Sequence, residues 1–148
     1  MGPWLLLLQA TALLGCGALA GLFFGFSTAV MPALSQVPPA QAAAVMNAVN
    51  RLIQNPRFLA LFMGTALACA ALVAATFSHP GLGTAAAVLF LVGVFGVTVV
   101  INVPLNNRLA AGADWATFAP GWVRWNLVRG VASALAALLM LPALVHGG

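Results

Sequence analysis

The sequence predicts an all-α integral membrane protein, a four-helix bundle with a short amphipathic helix between its first and second spans. Of its 148 residues, 64% are hydrophobic and only 4% are charged, whereas an ordinary soluble domain is about 25% charged. Four apolar stretches are long enough to cross a bilayer, which takes roughly 20 helical residues. Five arginines and one acid cannot cover a water-soluble surface, so we expect a single transmembrane domain over residues 1–148.

The first span is predicted at residues 4–31, where a long apolar run is expected to end at Pro32 because proline disrupts a helix. Within it, Gly17, Gly21 and Gly25 recur every four residues. Small residues at this spacing let two membrane helices approach closely. This glycine face is therefore a candidate surface for a homo-oligomer.

An amphipathic helix is predicted at about 39–55, because Pro38 and Pro39 favour a helix start and Pro56 a stop. Such a helix lies at the membrane interface or against the bundle. Its predicted apolar face holds Ala42, Val45, Val49 and Leu52, and its polar face holds Asn47, Asn50, Arg51 and Gln54.

The second and third spans are predicted at 58–77 and 84–103, and the short connection between them makes them an antiparallel hairpin. A polar region, 104–121, separates them from the fourth span, at 122–145. Asn102 and Asn106 are expected to share a helix face.

The five arginines lie in or beside two connections, 32–57 and 104–129, which share one side of a four-span protein. The positive-inside rule places that side in the cytoplasm and the termini outside, most simply in a bacterial inner membrane. The sequence pI of about 11.4 does not indicate nucleic-acid binding, because these arginines form no basic stripe.

Arg129 is the most informative charge, because it stands about one turn inside an apolar helix. A mid-span arginine costs roughly 2.5–3.5 kcal/mol on insertion scales, and such residues face the bundle interior or a wet cavity. Trp122, Trp125 and Asn126 share its broad face. Polar side chains from both arginine-bearing connections can gather at this end: Asn50, Arg51, Asn102, Asn106, Asn126 and Arg129.

Simpler interpretations stay open for these residues. Asn102 and Asn106 are suited to capping a helix broken at Pro104. The polar face of the amphipathic helix, with Asn50 and Arg51, often has no role beyond contact with water. Tryptophans near span ends commonly form an interfacial belt. Asp114 is the single acid and no CxxC pair occurs, so we expect neither a metal nor another cofactor.

Five segments together resemble the anthrone oxygenase (DUF1772) family. They are VMPAL at 30–34, MNAVNR at 46–51, NPRF at 55–58, NVPLNN at 102–107 and WVRWNLVR at 122–129. The resemblance implies a small four-helix membrane protein. The residues that carry the shared pattern are Asn50, Arg51, Asn102, Asn106, Trp125, Asn126 and Arg129.

The resemblance also implies oxidation of an anthrone-like, flat aromatic substrate with O2, without metal or flavin. Arg129 and Asn126 are then candidate catalytic residues that stabilise a substrate oxyanion. Trp125, which is suited to stacking, Trp122 and the remaining polar residues are candidate substrate contacts. Many relatives carry histidine where this chain has Leu127, so no general base is apparent.

Two other classes of function fit the same residues. A cavity of this kind suits a protein that binds or transports a lipid or another small hydrophobic molecule. The glycine face suits a structural subunit that packs against a partner.

Overall fold

The computed structural model describes residues 2–146 and confirms an all-helical membrane bundle. Within this range the chain forms five helices, of which α1, α3, α4 and α5 are each long and apolar enough to cross a membrane. Their bounds are α1 Pro3–Leu34, α2 Pro39–Leu52, α3 Pro56–Thr76, α4 Leu82–Ala110 and α5 Trp115–His146.

The four spans form a square in which each packs mainly against two others. α5 packs against α1 and α4, and α3 packs against the same two helices from the opposite side. A long apolar core runs between them, and residues such as Leu19, Leu72 and Phe90 are fully buried there. A smaller core, around Met46 and Phe118, joins α2 to the end of the bundle.

The prolines at 32 and 104 do not end their helices, contrary to the sequence-based expectation. Each follows a π-helical segment, Phe26–Val30 or Thr98–Asn102. In an α-helix, a proline ring collides with the carbonyl four residues earlier. That carbonyl lies inside the π-helical segment in both cases, where the wider hydrogen-bonding register accommodates the proline.

As a result, the predicted polar connection at 104–121 is mostly helical. α4 continues through Asn106 to Ala110, and α5 already begins at Trp115. Only residues 111–114 connect them, and Gly112 adopts a φ of 95° in this turn, a conformation that favours glycine.

The predicted apolar face of α2 is partly wrong. Ala42 is buried, as expected, but Val45 and Leu52 are exposed, while Asn50 turns toward the bundle. Apolar residues on an interfacial helix are stable against lipid as well as against protein. The pattern alone therefore does not fix which face the bundle buries.

The glycine face of α1 points outward. A Cβ built on Gly17, Gly21 or Gly25 meets nothing within 4 Å, whereas one on Gly15 falls on the Thr65 side chain of α3. The close approach of α1 to α3 thus depends on Gly15, and assembly through Gly17, Gly21 and Gly25 stays a prediction.

Gly15→Ala is expected to destabilise the protein by about 1–3 kcal/mol, because overpacking displaces a buried side chain or its helix. Gly17→Ala, two residues away, is the matched control and should leave stability unchanged within about 0.5 kcal/mol. Reversible unfolding in mixed detergent measures both. Equal stabilities for the two variants would show that α1 and α3 do not pack at Gly15.

Candidate functional site

A cavity of about 260 Å³ lies at the end of the bundle that α2 covers. All five helices contribute to it, together with the short connection between α2 and α3. Its lining residues are Leu22, Phe23, Phe26, Val49, Asn50, Ile53, Gln54, Phe58, Thr98, Val103, Asn106, Asn107, Trp122, Asn126 and Arg129.

The lining changes in character from its inner end to its opening. Trp122, Asn126 and Arg129 are buried at the inner end, whereas Gln54 and Asn107 are exposed and mark the opening. Half-buried apolar side chains form the walls between them. They are Leu22, Phe26, Val49, Ile53 and Phe58. The cavity therefore has a cationic inner end, apolar walls and an uncharged polar rim.

Arg129 is held between aromatic rings and neutral hydrogen-bond acceptors, with only 7% of its surface exposed. Its Nη1 donates to Thr98 Oγ1 at 3.2 Å, and its Nη2 donates to Asn126 Oδ1 at 2.9 Å. The guanidinium carbon lies 4.5 Å from the Phe23 ring centre and 5.5 Å from that of Trp122. Each contact is a favourable cation–π interaction.

The charge of Arg129 is not balanced by an acid. Both hydrogen-bond acceptors of its guanidinium are neutral, and its buried Nε has no hydrogen-bond partner. Asp114, the single acidic side chain of the sequence, is exposed in the turn before α5. A buried guanidinium without a carboxylate attracts negative charge into the cavity that it lines.

Asn126 links Arg129 to α1. Its Nδ2 donates to the backbone carbonyl of Phe23 at 2.9 Å and to Ser27 Oγ at 2.8 Å. Both N–H groups of this fully buried amide are thus used, and its oxygen accepts from Arg129. Asn126 therefore has no donor left for a ligand and instead fixes the position of the guanidinium.

Two further amides line the cavity. Asn106 Oδ1 accepts from the indole nitrogen of Trp122 at 3.0 Å, which fixes the ring that covers Arg129. Asn50, on α2, has a buried Nδ2 without a hydrogen-bond partner. Asn50 is thus one lining amide whose donor is unused within the protein.

Three of the predicted site residues lie outside the cavity lining. Arg51 is exposed on α2, and Trp125 is half-buried, with the Arg124 guanidinium 6.0 Å from its ring centre. Asn102 is buried, and both polar atoms of its side chain lack a hydrogen-bond partner. Asn106, one helical turn after Asn102, does line the cavity.

The lining also holds residues that were not predicted from the sequence, among them Phe23, Phe26, Thr98 and Asn107. The phenylalanines stand in an apolar run where nothing distinguishes them. Thr98 carried a usable signal, because it is the sole polar side chain between Thr84 and Asn102 in α4.

Leu127 faces away from the cavity. It is 57% exposed and lies on the outer, lipid-facing side of α5. A histidine at this position would not reach the inner end of the cavity in this fold, so the leucine removes no base from it.

Among residues 2–146, no group of three or more His, Cys, Asp or Glu side chains is placed to hold a metal ion. Comparison with curated proteins and with solved structures gives no match. The model of the anthrone oxygenase family matches residues 52–139, which include α3, α4, most of α5 and the side chains of Thr98, Asn126 and Arg129. Since this match covers more than half of the chain, the protein belongs to the anthrone oxygenase family.

Proposed function

We propose that the protein is a membrane-embedded, cofactor-independent oxygenase that oxidises a flat aromatic, anthrone-like substrate with O2 in the cavity at Arg129. The observation that carries this proposal is the buried guanidinium, whose hydrogen-bond partners are neutral and which lines an otherwise largely apolar cavity. Family membership supports an oxygenase-like activity.

The cavity suits a ligand with a flat apolar body. Phe23, Phe26 and Trp122 present ring surfaces, and aromatic rings stack favourably on such surfaces. The volume of about 260 Å³ lies just below the roughly 300–1,000 Å³ of common ligand sites, so a compact fused-ring molecule fits better than a bulky one. We propose that Asn50, whose Nδ2 has no hydrogen-bond partner, donates to an oxygen of that molecule.

The proposed chemistry begins with the loss of a proton from the activated methylene carbon of the substrate. The resulting anion carries much of its charge on the ketone oxygen, next to Arg129. A preorganised cation in a dry site stabilises such an oxyanion more than the neutral ketone. The anion then transfers electrons to O2. Overall, the CH2 group becomes a carbonyl, one oxygen atom of O2 enters the product, and the other leaves as water with both hydrogens.

The proton must leave without a protein base, because the described residues of the lining include no Asp, Glu or His. We propose that water at the rim, next to Gln54 and Asn107, accepts it. By stabilising the anion, Arg129 makes the substrate a stronger acid, which reduces the need for a base.

We further propose that the opening faces the cytoplasm of a bacterial inner membrane, with the chain termini outside. The exposed side chains of Arg51, Arg57 and Arg108 lie on the connections or helix ends at this side of the bundle. The positive-inside rule then assigns that side. A hydrophobic substrate would reach the opening from the interface between lipid and water.

Oxygen consumption by purified, chelator-treated protein tests this proposal. We expect one O2 per anthrone and one new carbonyl per turnover, at a rate well above that of the anthrone alone in air. Binding of intact anthrone or a lipid without oxygen uptake would instead identify a binding or transport protein. A rate restored only by added metal or flavin would contradict cofactor independence.

A further inference from the structure

A second cavity, of about 280 Å³, lies at the opposite end of the bundle. The start of α1, the end of α3 and the start of α4 enclose it, far along the helices from Arg129. Its lining residues are Leu5, Gln9, Ala75, Thr76, Ser78, His79, Gly81, Gly83 and Thr84.

Two helix ends of opposite polarity meet in this lining. Ala75 and Thr76 belong to the last turn of α3, and Gly83 and Thr84 belong to the first turn of α4. The last turn of a helix presents carbonyl groups with partial negative charge, and the first turn presents N–H groups with partial positive charge. The cavity therefore offers acceptors for a cation on one side and donors for an anion on the other.

The remaining side chains favour a group with no net charge. Among the residues that the structure describes, the lining contains no Arg, Lys, Asp or Glu, and its one titratable side chain, His79, is exposed. No guanidinium is present here to bind an anion, and no carboxylate is present to bind a cation. A dipolar group that carries both charges matches the two helix ends better than either ion alone.

Gln9 gives independent support for a ligand. Only 2% of its surface is exposed, and its Oε1 has no hydrogen-bond partner although it is buried at this cavity. An unpaired amide buried in a membrane protein costs free energy unless it is used. Gly83 makes room for this amide, since a Cβ there would lie 2.8 Å from Gln9 Nε2.

Exposed apolar side chains surround this cavity, as is expected where a protein contacts lipid. Trp4, Phe77 and Leu82 are exposed next to its lining residues in the chain, at an end of the spans where headgroups and acyl chains meet. We propose that this cavity binds the phosphoethanolamine group of a zwitterionic phospholipid. The ammonium donates to the carbonyls at the end of α3 and to Gln9, and the phosphate accepts from the N–H groups at the start of α4.

Native mass spectrometry of the full chain, released from bilayers of equal phosphatidylethanolamine and phosphatidylcholine, tests this proposal. Choline has no N–H donor, so wild-type protein should retain phosphatidylethanolamine about tenfold more often, the effect of one well-made charged hydrogen bond. Gln9→Leu should lower that preference, because the ammonium then keeps only the α3 carbonyls as acceptors. It should still fold, because it removes an unpaired buried amide. Gln41→Leu, an exposed change of the same kind on α2, should keep it.

Adding free phosphoethanolamine or free phosphocholine shows whether the cavity recognises the headgroup by itself or only as part of a phospholipid. Displacement of the retained lipid by the first compound alone would support recognition of the headgroup itself. No displacement, with the lipid preference intact, would show that the acyl chains are also needed and would equally support a lipid site. Equal retention of both lipids by wild-type protein, or an unchanged preference in Gln9→Leu, would overturn the proposal. Neither result depends on oxygenase activity.

Discussion

Replacing Arg129 with methionine is expected to lower kcat for anthrone oxidation by about 100- to 1,000-fold, the usual loss when one oxyanion donor is removed. Among the described residues that line the cavity, Arg129 supplies the sole cation, so no other lining group takes over its charge. KM should change less, because Phe23, Phe26 and Trp122 keep their ring surfaces. Steady-state oxygen uptake over a range of anthrone concentrations separates the two constants.

Arg124→Met is the matched control, because it removes the same charge from the same helix at an exposed position beside Trp125. We expect it to retain at least half of the activity. Arg129→Met should also fold, because methionine keeps an apolar stem in the same space; loss of the donor to Asn126 Oδ1 should cost about 1–3 kcal/mol. Comparable activity in the two variants would eliminate Arg129 as the group that stabilises the oxyanion.

Asn126→Asp is expected to lower kcat by roughly 100-fold, comparable with Arg129→Met, although it only replaces the amide NH2 group with an oxygen. The new carboxylate would lie where Asn126 Oδ1 now accepts from Nη2 at 2.9 Å, and it would neutralise the guanidinium. It would also lose the N–H groups that now bind the Phe23 carbonyl and Ser27. Unpaired buried groups of this kind cost about 1–3 kcal/mol, so stability should fall as well.

Asn55→Asp controls for the chemical change. Asn55 caps α3, where its Oδ1 accepts from the N–H groups of Arg57 and Phe58, and aspartate caps a helix equally well. Its activity and stability should therefore stay near wild type. Wild-type kcat in Asn126→Asp, measured on folded protein, would mean that Asn126 does not hold Arg129 in its working position.

The spans were predictable because the hydrophobic content of the chain leaves few alternatives. Arg129 and Asn126 were predictable as a pair because a charge and an amide three residues apart stand out in an apolar helix. The helix that surrounds them also made Trp122 a reasonable choice. These residues differ clearly from their apolar neighbours in the sequence. The structure places Trp122, Asn126 and Arg129 at the inner end of the cavity.

The rest of the site depends on helix rotation, which hydrophobic periodicity does not define in a membrane. The outer and inner faces of these helices are both apolar, so Phe23 and Phe26 have no distinguishing pattern. The π-helical segments at Phe26–Val30 and Thr98–Asn102 shift each following face. Asn102, at the end of the second segment, is buried outside the cavity lining, whereas Asn106, one α-helical turn later, lines it.

The rotation of α2 about its own axis was not predictable for the same reason. Asn50 and Arg51 are adjacent, so a helix sends them about 100° apart, and only one can face the cavity. Sequence spacing did not decide which one, because lipid and protein accept the apolar residues of α2 equally. Contacts of Met46 with the smaller core decide it, and those contacts are not local in sequence.

An absorption spectrum of bound anthrone in the absence of O2 tests the central claim most directly, because binding and deprotonation proceed without turnover. The ionised form absorbs at longer wavelength than the neutral ketone. Wild-type protein is expected to hold the anion at a pH where free anthrone is mostly neutral, and Arg129→Met is expected to bind the neutral form. Neutral anthrone in the wild-type protein, or the same fraction of anion in both proteins, would contradict the account.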